Sequence, residues 1–146
     1  MKILIHDFGG FPFIIRLAEH LASAGHDVTC LFANLLATAR CEGRDNQAGN
    51  PTFINQPVST KYRVDKGNLV KRLAHEVRYG REAARTVRES GADLVISSNT
   101  PTHAQYFIQR ACLRRNIRFI YWIQDFYSLA VGSHLSGRLP VVGRGL

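Results

Sequence analysis

A chain of 146 residues with 45% apolar and 21% charged residues is one domain by ordinary size, apolar enough to bury a core and too apolar to stay disordered. No apolar run approaches the roughly 18 residues of a membrane span, and His6 and Asp7 break the short run behind Lys2, which argues against a secretion signal. The net charge of +8, from 19 Lys and Arg against 11 Asp and Glu, points to an anionic partner: a membrane surface, a nucleic acid or a phosphorylated substrate.

Lys2–His6 reads as a short buried strand that empties into Gly9-Gly10, where the absence of a Cβ gives the backbone freedom to turn and to approach a ligand closely. Ile14–Ala24 is apolar at helical spacing, and after the stop at Gly25 the run to Phe32 begins a second strand. Together these form a βαβ unit whose right-handed crossover sets the glycine turn at the carboxyl edge of a parallel sheet. The dinucleotide fingerprint Gly-x-Gly-x-x-Gly is missing, so a tightly held pyrophosphate at this turn is not expected. Two readings stand: the glycines line a ligand crevice, or they only turn the chain.

Asn34–Asn50 is polar and reads as a long loop with a short helix over Leu35–Arg40. Thr52–Gln56 is a short strand stopped by Pro57, followed by a second connection over Val58–Lys66. Leu69–Glu89 is the clearest helix. At about 100° per residue, Leu69, Leu73, Val77, Gly80, Ala84 and Val87 share an arc of roughly 80° that should face the sheet, while Lys71, Arg78, Arg81, Arg85 and Arg88 form a basic ridge beside it. Residues 61–90 alone carry nine basic against four acidic side chains, +5 of the total charge.

Gly91 ends that helix, and Ala92–Ser98 is a continuous apolar strand of the kind buried on both faces. Asn99-Thr100-Pro101 opens a helix over Thr102–Arg115, and Arg118–Trp122 is a further strand running into Ile123-Gln124-Asp125. From Ser128 the pattern weakens through repeated glycines. Five strands alternating with helices predict an α/β, doubly wound, mostly parallel Rossmann-like sheet. Cys30, Cys41 and Cys112 are odd in number and lack metal spacing, which fits a reducing cytoplasm, with Cys30 and Cys112 as small core residues. No histidine pair has zinc-like spacing, so no metal is expected.

Lys2-Ile-Leu-Ile-His6 with Gly9-Gly10, Leu21-Ala-Ser-Ala-Gly-His-Asp-Val28, Ala92-Asp-Leu-Val-Ile-Ser97 and Tyr121-Trp-Ile-Gln-Asp125, in this order, resemble the N-terminal domain of GT-B-fold glycosyltransferases, in particular the family 4 retaining enzymes. The resemblance covers most of residues 1–146 and implies the acceptor-side half of an enzyme of polysaccharide or glycolipid synthesis. It implies a nucleotide-sugar donor held mainly by a C-terminal domain absent from this sequence, so this chain alone is expected to be incomplete as a catalyst. The implied partners are a sugar or lipid-linked acceptor and that donor domain or a separate subunit. No cofactor is implied beyond the donor itself.

The candidate site follows from these placements. Gly9 and Gly10 would let substrate approach the backbone, with Asn99 and Thr102 binding its hydroxyls. His103, Gln124 and Asp125 are the candidate catalytic residues. Gln124 stands where the family pattern often carries a histidine, and glutamine can hydrogen-bond but cannot exchange protons near neutral pH. His6-Asp7, just before the glycine turn, could line the same cleft. Simpler roles remain open: Asn99 or Thr100 as a helix cap with His103 solvated, Asp125 as a cap, and His6 as a core histidine bonded to a backbone carbonyl.

Phe8, Phe11, Pro12 and Phe13 cluster at the turn, and with the basic ridge they suit peripheral attachment to the inner face of an anionic membrane. The alternative is a solvated helix flank, with the aromatics packing beneath the domain the resemblance implies. A nucleic-acid partner is not expected, because aromatics do not interleave with Arg and Lys as stacking platforms would. The rival to a transferase is a non-catalytic, membrane-associated module that docks a separate catalytic subunit.

Overall fold

Short runs rich in Ile, Leu and Val alternate with amphipathic segments, and in the computed structural model, which describes residues 1–9, 11–33, 53–58 and 69–123, the former become strands and the latter helices. Chain order is β1 (Lys2–Asp7), α1 (Pro12–Ser23), β2 (Asp27–Ala33), β3 (Phe53–Val58), α2 (Leu69–Glu89), β4 (Leu94–Ser98), α3 (Thr102–Arg115) and β5 (Arg118–Trp122). All neighbouring strands pair in parallel, in the spatial order β3-β2-β1-β4-β5. The chain therefore winds outward in one direction from β1 and then crosses back to β4. This reversal between β1 and β4 is the topological switch point of a doubly wound α/β sheet.

The two-residue period of the strands assigns the faces. Ile3 and Ile5 of β1 join Val28, Cys30 and Phe32 of β2 under Ile14, Ile15, Ala18 and Ala22 of α1. Leu4, Leu31 and Val95 point the other way, into a core with Tyr79, Ala83, Ala84 and Val87 of α2 and Ala104, Ile108, Ala111 and Cys112 of α3. Each fully buried Leu, Ile or Val stabilises the fold by about 1.5–3 kcal/mol relative to exposure, so this double-faced burial fixes the register of the central strands. Cys30 and Cys112 are both buried, and burial pushes the Cys112 thiol up to about 11, so it packs as a small apolar group.

Several elements depart from the pattern in the sequence. Pro57 lies inside β3 and does not stop it, pairing in register with Phe32. The strand is at the sheet edge, where a missing N–H costs no ladder bond on the outer side. Helix α1 begins at Pro12, ahead of Ile14, because proline at the first helical position has no amide to leave unsatisfied.

The buried stripe of α2 is rotated from the expected arc. It runs from Tyr79 and Ala83 round to Gly80, Ala84 and Val87, while Leu73 is exposed. The flank carrying Tyr79 turns to the sheet, where it meets His6 and Phe8, while α3 packs against the other side of the stripe, at Gly80 and Ala84. Positive backbone φ angles follow all three described helices: at Gly25 (84°) after α1 and Gly91 (63°) after α2, the expected stops, and at Asn116 (54°) after α3. Gly10, Gln124 and Asp125, the expected loop and short helix within 34–50, most of the second connection and the tail from Ser128 lie outside the described residues.

Candidate functional site

At the carboxyl edge of the sheet Asp7 of β1 pairs in register with Ser98 of β4, and Ser98 with Trp122 of β5. The segments that follow β1 and β4 therefore leave the sheet side by side, Phe8-Gly9 beside Asn99-Thr100-Pro101, and the switch point opens between them. The buried Asp7 carboxylate accepts the Phe11 backbone N–H at 2.9 Å, which holds the entry to α1, a helix with no side-chain cap at its first turn. A Cβ at Gly9 would lie 2.6 Å from the Phe11 ring, so the glycine lets the aromatic lie over the turn. Asn99 has φ 41°, a left-handed conformation that asparagine tolerates better than most residues.

An aromatic rim completes this edge on the α1 face. The Phe11 and Phe13 rings stack at 5.9 Å between centroids, and Phe13 meets Trp122 edge-on at 5.6 Å. All three are exposed, as are Ile120 and Ile123. The phenylalanines were legible as a cluster. Trp122 joins them only because β5 lies two strands from β1, a relationship sequence spacing does not carry.

Beneath the crevice on the opposite face lies a buried polar cluster. His6 Nε2 is 2.7 Å from Tyr79 Oη, and its Nδ1 is 2.9 Å from Ser97 Oγ and 3.1 Å from Thr100 Oγ1. Ser97 Oγ donates to Gln105 Oε1 at 2.7 Å, and Thr100 Oγ1 donates to the Ser98 carbonyl at 2.7 Å. With both hydroxyl protons committed, His6 Nδ1–H is the donor toward Ser97 and Thr100, and Nε2 accepts from Tyr79. Complete burial pushes the imidazole down to about 3 and keeps it neutral. Burial, reinforced by the Asp7 charge, raises the Tyr79 phenol far above its ordinary range. His6 is thus a core histidine, but its partners are side-chain hydroxyls and not the expected backbone carbonyl. Thr100 is likewise no helix cap: Pro101 stands at the cap of α3 and makes no side-chain bond.

The structure brings Gly9 and Asn99 together at the switch point. Thr102 is the exposed first residue of α3. His103, next along, turns toward α2, where its Nδ1 lies 3.3 Å from Glu76 Oε2, a carboxylate that also takes Arg72 at 3.1 Å. Lys71, Arg78, Arg81, Arg85 and Arg88 all lie on the exposed surface of α2. Arg85 is paired with Glu89 at 2.9 Å. Among the described residues no cluster of three or more His, Cys, Asp or Glu could hold a metal ion, and no helix is long and apolar enough to cross a membrane.

No protein-family model matches the chain, and no curated protein matches it. Solved structures do. The C-terminal domain of a hydrogenase from Pyrococcus furiosus is similar at 19% identity with a TM-score of 0.59, over 83% of this chain and 90% of that one. The glycotransferase of kitacinnamycin is similar at 13% identity and TM-score 0.58 over 92% of this chain. UGT2 of Phytolacca americana, solved with UDP-2-fluoroglucose and pterostilbene, is similar at 14% identity and TM-score 0.55 over 99%. The chain spans only 35% and 34% of the latter two chains, about a third of each. These likenesses establish the Rossmann-like α/β fold, which the glycosyltransferase structures share with the hydrogenase domain.

Proposed function

We propose that this chain is the acceptor-side, N-terminal domain of a GT-B glycosyltransferase of the family 4 type, acting in cell-surface polysaccharide or glycolipid synthesis. The observation that carries the reading is the switch-point crevice, where the Gly9 turn and Asn99 leave adjacent parallel strands beside the Phe11–Phe13–Trp122 rim. The ordered family-like segments in the sequence and the likeness to two glycosyltransferase structures support it.

In this reading backbone groups at Gly9 and the Asn99 amide bind acceptor hydroxyls. The exposed rings offer flat apolar faces on which a sugar or a lipid-linked acceptor rests. The donor nucleotide-sugar is held mainly by a second domain. Gln124 and Asp125, which follow β5 in sequence, are the further candidate hydrogen-bonding groups of this reading.

A second reading is a non-catalytic module that docks a catalytic subunit. It is favoured by the lack, among the described residues at the crevice, of an accessible proton-exchanging group: His6 is buried and neutral, and His103 turns to Glu76. The test is transfer or donor hydrolysis across a panel of UDP-, GDP- and TDP-sugars with saccharide and lipid-linked acceptors. It would be run on the chain alone and with a donor-binding domain supplied. Activity only in the second case is the expected result, and a negative across the whole panel in both cases overturns the transferase reading in favour of the docking module.

A further inference from the structure

Helices α2 and α3 enclose a groove of about 270 Å³ lined by Arg81, Ala84 and Arg88 from α2 and Phe107, Arg110, Ala111 and Arg114 from α3. No carboxylate is among these lining residues. The two alanines leave a shallow floor, and Arg81 stands over the Phe107 ring at 5.6 Å. Arg110 is held by Tyr106, its Nη1 donating to the phenol at 2.6 Å. Two α2 arginines with glutamate partners, Arg72 with Glu76 and Arg85 with Glu89, are not among the groove's lining residues.

Arginines in the last turns of helices offset the helix dipole, and this accounts for Arg88 and Arg114 taken singly. It does not account for Arg81 and Arg110, which lie further back along each helix, or for the convergence of all four on one apolar-floored groove. Four like charges around one concavity repel one another, and an anion placed among them relieves that repulsion.

We propose that this groove is an anion site for a phosphate or diphosphate group, held by the forked N–H donors of Arg81, Arg88, Arg110 and Arg114. Guanidinium groups match phosphate oxygens in pairs, which a scattered set of lysines would not do. At about 270 Å³ the groove falls just below the range of roughly 300–1,000 Å³ usual for pockets that enclose whole small-molecule ligands, so it fits the charged group and not an entire nucleotide-sugar. It lies toward the C-terminal ends of α2 and α3, hence toward the amino edge of the parallel sheet, away from the Gly9–Asn99 crevice. It is therefore independent of the transferase reading.

The test is titration of inorganic pyrophosphate into the full chain by calorimetry, beside sedimentation with phosphatidylglycerol vesicles and with phosphatidylcholine vesicles as the neutral control. Two double variants are compared, Arg88→Ala with Arg114→Ala in the groove, and Arg16→Ala with Arg72→Ala outside it. Both remove two positive charges from exposed positions. The expected result is saturable binding of one phosphate-bearing probe that weakens at least tenfold in the groove variant and less than twofold in the control variant.

Loss confined to pyrophosphate identifies a free anion as the source, and loss confined to the phosphatidylglycerol vesicles identifies a lipid headgroup; either supports the site. Absence of binding to both probes, or equal weakening in the two variants, overturns it.

Discussion

Tyr79 Oη donates a hydrogen bond of 2.7 Å to Nε2 of His6, joining the middle of α2 to the end of β1 across 73 positions of sequence. Through Ser97, Thr100 and Gln105 the same histidine is linked to β4 and to the first turn of α3, so one neutral imidazole ties together the elements that converge under the switch point. Replacing Tyr79 with phenylalanine keeps the ring and its edge contact with Phe8 at 4.8 Å but leaves Nε2 a buried acceptor without a donor. The expected loss is about 1–3 kcal/mol. Urea denaturation checks it: the midpoint should fall while the slope against urea stays unchanged.

The neutrality of His6 makes stability depend on acidity. Unfolded, the side chain titrates near 6.5; folded, it is held down to about 3 by burial. Between those values the unfolded chain takes up a proton that the folded chain refuses, so stability is full above about pH 7 and declines as the pH falls from 6.5 toward 3. The wild-type chain is expected to lose several kcal/mol over this window beyond the loss shown by a His6→Gln variant, which has no proton to gain. Denaturation midpoints of both chains between pH 8 and pH 4 supply the comparison, and parallel curves would refute it.

The sequence displays the parallel sheet plainly, because β1, β2 and β4 are apolar runs buried on both faces and each is followed by punctuation such as Gly9, Asn34 or Asn99. It also displays the ends of α2, α3 and β5. What it hides is which residues meet. Tyr79 lies outside the apolar arc counted from Leu69, so only its contacts with His6 and Phe8 at the end of β1 reveal it as buried. Likewise Arg110 and Arg114 look like ordinary solvated charges until the pairing of two helices sets them opposite Arg81 and Arg88. His103 reads as a crevice residue from its place after β4, yet helical rotation within the first turn of α3 carries it toward Glu76.

Gly80 opposes two effects of known size. An alanine in mid-helix favours helix formation by about 1 kcal/mol over glycine. Yet a Cβ at position 80 would lie 2.6 Å from Ala104 Cα, a backbone atom that cannot swing aside. Relief requires α2 and α3 to move apart, and overpacking of this kind costs about 1–3 kcal/mol. Gly80→Ala is therefore expected to be destabilised on balance, with a lower thermal midpoint. Because Phe107 crowds the same position at 3.0 Å, a Phe107→Leu change in the same chain should recover little of the loss, the backbone contact being the one that decides.

Asn99 allows a binding role to be separated from a conformational one. Its φ of 41° is strained for a residue with a Cβ and easy for glycine. Asn99→Ala keeps the strain and removes the amide that makes a left-handed asparagine tolerable, so it is expected to lose about 1 kcal/mol of stability. Asn99→Gly removes the amide and the strain together, and its stability should match the wild type or exceed it. If the Asn99 amide binds acceptor hydroxyls, the two variants diverge in stability and agree in function. Each should raise the acceptor KM several-fold, with kcat little changed, in the two-domain enzyme that the proposed function requires. A KM that follows stability, falling back to the wild-type value in Asn99→Gly, would mean that Asn99 only shapes the turn and would leave acceptor binding, in the proposed function, to the backbone and the aromatic rim.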